Sequence, residues 1–254
     1  MKTIKATLPS KKNIEVHLFA DEHIGDKHSD IKRIKERIEV VRSNPNAYAI
    51  LNGDLVNNAT LSSPSDTYNE EMSPMEQVQK CVDLFRPIAS KILCVTSGNH
   101  EWRTMKETGI DITYFMCAEL GIADKYTSES ALLFVRFGQT DRGRPIAYSI
   151  YVNHGNGGGR ADGGKINKLL NMASIVDADI YIHSHTHLPA IVKKNFFRTS
   201  WNNSTVSEIT RLFVNTAANL SYGGYGERGE YTPSSTDTPI IYLNAHKRKA
   251  EAKL

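Results

Sequence analysis

The feature that most constrains this sequence is a series of short apolar runs that each end in a polar cluster. NIEVHLFA (13–20) runs into ADEHIGD, AYAIL (47–51) into NGDLVNN, and KILCVTS (91–97) into SGNHE. Apolar runs this short, bounded by turn residues, read as strands buried on both faces. Between them Ile31, Ile34, Ile38 and Val41 recur at helical spacing. Ser73-Pro74-Met75-Glu76 is a capping box with proline in the first turn, and Met75, Val78, Val82 and Phe85 follow on one expected face. A further helix is expected near 111–120. Strands that alternate with helices must stack as a sheet with covered faces.

The second half is richer in strands. ALLFVRFG and PIAYSIYVN, separated by the turn-rich QTDRGR, read as an antiparallel pair. A helix is expected at about 164–175, leading into the strand ADIYI, and AIVKKNFF, EITRLFVN and PIIYLNA are mostly strand. The expectation is an α/β sandwich of two mixed sheets flanked by helices. The chain has 254 residues with no repeat and no long linker, so a single domain over 1–254 is expected. A net charge of +3 does not itself demand nucleic acid or membrane as partner. No apolar stretch reaches membrane-spanning length, and the N-terminus lacks a signal-peptide core. Cys81, Cys94 and Cys117 are odd in number and lie inside apolar stretches, which suits reduced core thiols and a cytoplasmic location. The basic end HKRKAEAKL reads as a solvated, frayed tail.

Function in an open α/β sheet concentrates at the C-terminal ends of the strands. There stand Asp21 and His23, then Asp54, then Asn99 and His100. His154 follows in VNHG, and His183, His185 and His187 follow in IYIHSHTHLPA (180–190). Each cluster alone is ordinary, since Asp-x-His arises by chance, Gly-Asp marks turns, and a lone histidine is usually structural. Their joint occurrence at successive strand ends is not ordinary. Imidazole, carboxylate and carboxamide oxygen suit divalent ions such as Mn, Fe, Zn or Mg, and the lack of a cysteine ligand argues against a structural zinc site. A carboxylate can bridge two cations roughly 3.5–4 Å apart, which clamp the oxygens of a phosphoryl transfer.

The series Asp21-x-His23, Gly53-Asp54, Gly98-Asn99-His100-Glu101, His154 and His185-x-His187 resembles the signature of the calcineurin-like metallophosphoesterases. The resemblance spans residues 21 to 187. It implies a β-sandwich flanked by helices with a dinuclear centre. Asp21, His23 and His187 would hold one metal, Asp54 would bridge, and Asn99, His154 and His185 would hold the second. His100 matches a histidine that contacts the phosphate without binding metal, as general acid or charge stabiliser. The implied cofactors are two divalent ions, manganese first, with Fe, Zn, Mg or Ni as alternatives. The implied reaction is hydrolysis of a phosphoester by metal-activated hydroxide, the substrate being a phosphodiester (or a monoester) of a nucleotide or nucleic acid. The alternative is a non-catalytic scaffold of the same fold, which the intact ligand positions oppose.

There are departures from the pattern. His183 stands where the family usually has a small residue and Ser184 where glycine is usual, so His183 is expected to support the ligands and not to be one. GDLVNNA places Asn57 where the protein-phosphatase branch has an aspartate and lacks its arginine, which favours a phosphodiesterase or nuclease over a protein phosphatase. GNGGGRADGGKI (155–166) matches a P-loop through Gly159, Gly164 and Lys165, but Ile166 replaces the magnesium-binding hydroxyl. The glycines are expected to let the backbone pass near the metals, with Arg160 and Lys165 contacting a substrate phosphate. Arg103 is expected to reach the same phosphate and Trp102 to pack. SYGGYGERGEY (221–231) reads equally as an aromatic lip for stacking bases and as a plain surface turn.

Overall fold

The computed structural model describes residues 1–65, 67–139, 142–157 and 159–254, with backbone alone at 69 and 225. In chain order the elements are β1 (Lys2–Thr7), β2 (Ile14–Phe19), α1 (Ile31–Ser43), β3 (Ala47–Asn52), α2 (Pro74–Phe85) and β4 (Ile92–Thr96). Then come α3 (Asn99–Thr108), α4 (Ile112–Glu119), β5 (Tyr126–Thr127), β6 (Ala131–Phe137), β7 (Ile146–Val152) and α5 (Asp162–Asn171). The chain closes with β8 (Ile180–His183), β9 (Ala190–Ser200), β10 (Thr205–Asn215), α6 (Gly224–Arg228), β11 (Ile240–Leu243) and β12 (Ala250–Lys253).

Among the described residues these strands form two mixed sheets, ordered β1-β6-β7-β8-β10-β9 and β12-β11-β2-β3-β4-β5. Side-chain alternation sorts the layers. Ile14, Val16 and Leu18 of β2 and Tyr48 and Ile50 of β3 point between the sheets, where they meet Leu133, Val135, Ile150, Ile182 and Val214. The intervening Ala47, Ala49 and Leu51 face outward beneath Ile34, Ile38 and Val41 of α1 and Val82 and Phe85 of α2. On the far side, Tyr151, Tyr181 and Phe213 are covered by Leu169 of α5 and by Met172. Two-sided burial is why β3 reads as an unbroken apolar run.

Local signals hold the helices in register. Asp30 caps α1 by accepting from the Arg33 N–H (3.0 Å), and Ser73 and Glu76 form the expected capping box of α2. Met75 differs from expectation: it sits in the first turn, ahead of the helix's contact with the sheet, and projects to solvent. The helix expected at 164–175 runs instead from Asp162 to Asn171, continued by a 3₁₀ turn. The basic C-terminus is not a frayed tail. Ala250–Lys253 pairs antiparallel with β11, and the buried Tyr148 hydroxyl anchors the turn between them at Asn244 O, Lys247 O and Lys249 N–H. Strand β1 and helix α3 have no counterpart in the sequence pattern. Ile4 is the one buried side chain of β1, and Glu101 the one buried side chain of α3, so neither presents an apolar stripe. All three cysteines are free and buried. No described helix is long and apolar enough to cross a membrane.

Candidate metal centre

Strands β2, β3 and β4 are parallel, and so are β7, β8 and β10, so their C-terminal ends deliver the polar clusters to one rim. Backbone hydrogen bonds lock the loops together: Asp21 N–H to Gly53 O (3.1 Å), His23 N–H to Asp54 O (3.0 Å) and Ser184 N–H to His154 O (3.0 Å). Asp21, His23, Asp54, His185 and His187 all adopt positive φ, between 47° and 65°. Left-handed conformation in non-glycine residues is uncommon and costly, and here it collects at one spot. Gly53 and Gly98 are required by close approach, since a Cβ on Gly98 would stand 2.1 Å from Asp54 Oδ1 and one on Gly53 2.6 Å from the Gly98 backbone.

Three groups of side chains converge there: Asp21, His23 and His187; His23, Asp54 and His100; and Asp54, His154 and His185. Within each group the potential ligand atoms lie within 4.8 Å of one another. Asn99 Oδ1 joins the last group, 3.2 Å from His154 Nε2, and Asp54 Oδ2 is also 3.2 Å from that nitrogen. His154 Nδ1 is 2.7 Å from Asn52 O and donates to it, which directs Nε2 at Asp54 and Asn99. In the neutral ring three lone pairs therefore meet with no proton between them. Burial would lower the His154 pKa, but the Asp54 carboxylate outweighs it and lifts the ring to about 10. His185 goes the other way: burial, then the neighbouring His154, push it down to about 4. Asp54 is itself held well below the carboxylate range, because His100, His154 and His23 outweigh its desolvation.

The other side of the cluster is short of donors. His187 Nε2 lies 3.3 Å from Asp21 Oδ1 without making a hydrogen bond to it, and His23 Nε2 lies 3.4 Å from His187 Nε2. Asp21 Oδ1 and His23 Nδ1 are buried and have no hydrogen-bond partner. Unpartnered buried polar atoms are costly and rare. Carboxylate and amide oxygens and imidazole nitrogens crowded within 4.8 Å, with two buried polar atoms unpartnered, form a donor set that fits divalent metal.

His100 lies over His23, their ring centroids 4.5 Å apart. Its Nδ1 donates to Asn57 O at 2.7 Å, and Arg103 Nη2 donates to its Nε2 at 3.0 Å. The Asn57 side chain turns away to Glu70 Oε1 (2.5 Å), so the backbone carbonyl of Asn57 orients His100. Arg103 also donates to Asn57 O (3.1 Å) and Ser65 Oγ (3.1 Å), which makes it a clamp between His100 and the 57–65 loop. Trp102, expected to pack, is 44% exposed.

Glu101 is the residue that sequence reasoning overlooked. Fully buried, it accepts from the backbone N–H groups of Asp54 (2.9 Å), Gly98 (2.9 Å), Leu55 (2.6 Å) and Val56 (3.2 Å). It thus pins the Asp54 loop to the Asn99 loop, and burial raises its pKa to about 7. Its place at the third position of α3 turns it back to the preceding loop, but α3 has no apolar stripe that would announce that position in the sequence.

His183 joins none of the three groups. Its Nδ1 is 2.8 Å from Asn215 Oδ1, and its Nε2 lies where a Cβ on Gly155 would fall, 2.3 Å away. Arg160 reaches Glu230 (3.7 Å) and the Tyr231 ring, while Lys165 pairs with Asp162 (3.3 Å), so their recorded partners lie outside the histidine cluster. Lys165 on its own helix, not over the glycine loop, leaves the P-loop reading without support. Gly158 of that loop and the Tyr225 side chain of the expected lip lie outside the described residues.

A sequence profile described as calcineurin-like phosphoesterase matches residues 23–189. No curated protein matches the chain significantly. Among solved structures, a metallophosphoesterase from Sphaerobacter thermophilus is 13% identical, with TM-score 0.42, covering 91% of this chain and 84% of its own. Wild-type Vps29 from Entamoeba histolytica, complexed with zinc, is 12% identical, with TM-score 0.40 and coverages of 94% and 97%. The nuclease MPE of Pseudomonas putida is 13% identical, with TM-score 0.37 and coverages of 94% and 87%.

Proposed function

Since the chain belongs to the calcineurin-like phosphoesterase family, we propose that it is a hydrolase of phosphodiesters, with a nucleotide or nucleic acid as substrate. We assign Asp21, His23 and His187 to one divalent ion, Asn99, His154 and His185 to a second, and Asp54 to both. Manganese is the proposed ion, and residues 1–254 are proposed to work as one domain in the reducing cytoplasm, where three free buried thiols are stable. The observation that carries the reading is the meeting of His154 Nε2, Asp54 Oδ2 and Asn99 Oδ1 within 3.2 Å of the nitrogen, with Asp21 Oδ1 and His23 Nδ1 orphaned beside them.

Divalent cations in such a site supply Lewis-acid activation of water and of the phosphoryl group at neutral pH. The chain's own residues do the rest. Asn52 O keeps His154 in the tautomer that presents Nε2 inward. Asp54 stays ionised, and Glu101 keeps its loop from moving. Asn57 O keeps the His100 proton on Nδ1, and the Arg103 N–H at Nε2 opposes a second proton there. Once a substrate oxygen takes over the Arg103 contact, Nε2 is free to gain a proton from solvent, and the resulting imidazolium gives that proton to the leaving oxygen. Arg103 enters this scheme as the partner of His100 and, through that exchange, as a phosphate contact. Arg160 and Lys165 pair with Glu230 and Asp162 and are assigned no step in this scheme.

The absence of an aspartate and arginine after Asp54 supports a diester over a phosphoprotein. The test is a manganese-supplemented panel of a generic phosphodiester, cyclic nucleotides and DNA, with chelator controls. Chelator-sensitive cleavage of a diester is expected. Failure to hydrolyse any member with Mn, Fe, Zn, Mg or Ni would return the protein to the scaffold class.

A further inference from the structure

The β9–β10 ribbon extends well past the sheet that carries it. Strand β10 pairs with β8 only from Leu212 to Asn215, whereas its pairing with β9 continues out to Thr205 opposite Ser200. The part from Thr205 to Thr210 and its partners is a free two-stranded arm roughly 20 Å long at about 3.3 Å per residue. An isolated hairpin is marginal in water. This one also exposes large apolar side chains: Phe197 is 79% exposed, Trp201 at the tip 91% and Val206 64%. Thr199 stands opposite Val206 and Phe197 opposite Glu208, so Phe197 and Val206 are diagonal neighbours on one face. Exposed apolar groups gathered on a projecting element mark an interaction surface.

The chemistry around them narrows the partner. Lys193 is exposed at the base of the arm on the face that carries Phe197, whereas Lys194 stands on the opposite face over the Phe196 ring. Arg198 is tied to Asp177. Glu208, the carboxylate of the arm, is occupied by the Asn195 amide at 2.7 Å. The basic run of the C-terminus, folded as β12, lies beside β10. Lys249, Lys193 and Lys253 all act on Glu251 and hold its carboxyl below the usual range, so lysines from both sheets meet at the ribbon's base. The tip carries Ser200, Asn202, Asn203 and Ser204, neutral hydrogen-bonding groups of the kind that contact phosphate and base edges. A second copy of the chain would bring the same lysines against one another, and edge-strand lysines oppose strand-to-strand pairing.

We propose that the β9–β10 arm binds single-stranded nucleic acid, with bases stacked on Trp201 and Phe197 and the phosphates drawn to Lys193 and to Lys249 and Lys253 at the C-terminus. A single strand is specified because only unpaired bases offer their faces to aromatic side chains. The arm points away from the metal centre, which lies at the Ala190 and Asn215 end of the ribbon. The length of β9 separates tip and centre by roughly 36 Å at about 3.3 Å per residue. On the reading of that centre as catalytic, a strand stacked at about 3.4 Å per nucleotide would span both with about ten nucleotides, and an extended strand with fewer.

The test is binding of a fluorescein-labelled 20-nucleotide oligothymidine to the full-length protein, by anisotropy in chelator, so that no cleavage intervenes. Trp201→Ala and Phe197→Ala, both at exposed positions, should each weaken binding at least fivefold. Lys193→Glu should make the salt dependence shallower by about one phosphate contact. All these variants should keep wild-type hydrolysis of a small phosphodiester. Unchanged binding in the aromatic variants, tighter binding of a duplex of equal length, or no binding at 50 mM salt would each overturn the proposal. So would a dimer in sedimentation that Trp201→Ala dissolves, because it would assign the arm to a second copy. Loss of all hydrolysis with arm-dependent binding intact would sink the catalytic reading alone.

Discussion

Loading the metal-free protein with manganese should expel one proton from His154. Asp54 Oδ2 lies 3.2 Å from His154 Nε2, and Nδ1 is held on Asn52 O. Burial lowers this ring's pKa, but Asp54 and then Asp21 outweigh it and set it at about 10, against 6.5 for an ordinary histidine. At pH 6 the ring carries a proton that a cation must displace. Deprotonating a group of pKa about 10 at pH 6 costs roughly 5 kcal/mol, at 1.36 kcal/mol per unit. Apparent affinity should therefore rise about tenfold per pH unit from pH 6 to 9. His185, held at about 4 by burial and by His154, is already neutral at pH 6 and contributes no proton. Titration calorimetry at pH 6, in two buffers of different ionisation heat, counts the protons released before any coordinated water ionises. Wild type is expected to release one proton more than His154→Gln. No release at pH 6, or an unchanged pH slope in His154→Gln, would refute the reasoning. The same shift acts on folding of the metal-free chain. A pKa raised from 6.5 to about 10 stabilises fully below pH 6.5, and that gain is lost as pH rises through 10, so the metal-free Tm should fall across this window.

Four substitutions separate the remaining roles. Asp54→Ala removes a carboxylate found in two of the three groups and should lose both ions by elemental analysis; two ions retained would refute the bridge. His100→Ala should keep the metals and lose about 10²–10⁴-fold in turnover, less for a nitrophenyl ester than for a poor leaving group. An equal loss on both substrates would assign His100 to phosphate binding. Glu101→Gln turns an amide N–H₂ toward backbone donors and should cost roughly 2–4 kcal/mol in urea unfolding; a loss below 1 kcal/mol would show that water satisfies those donors. His183→Ala should lower metal affinity modestly, because His183 touches Asn215 and Gly155 and not the cluster, and outright loss of an ion would make it a ligand.

Much of this protein is determined by sequence alone. Strands buried on both faces, such as Ala47–Asn52, have no choice but to be covered on each side, so their apolar runs are legible without neighbours. Capping residues such as Asp30 and Ser73 act within one turn and are equally local. The candidate ligands are legible because a parallel sheet brings its strand ends to one rim, whatever the loops between them do. Elements whose reason to exist lies elsewhere in the chain were decided only in three dimensions. β12 exists because β11 offers an open edge and Tyr148 holds the turn, and β1 because β6 offers another. Glu101 is solvated or pivotal depending on where four N–H groups from two loops converge, and no spacing in the sequence encodes that meeting. Which atom orients His100 also needed the fold. At Asn57 the side chain takes Glu70 and the backbone carbonyl takes the imidazole, a division settled by the path of the loop.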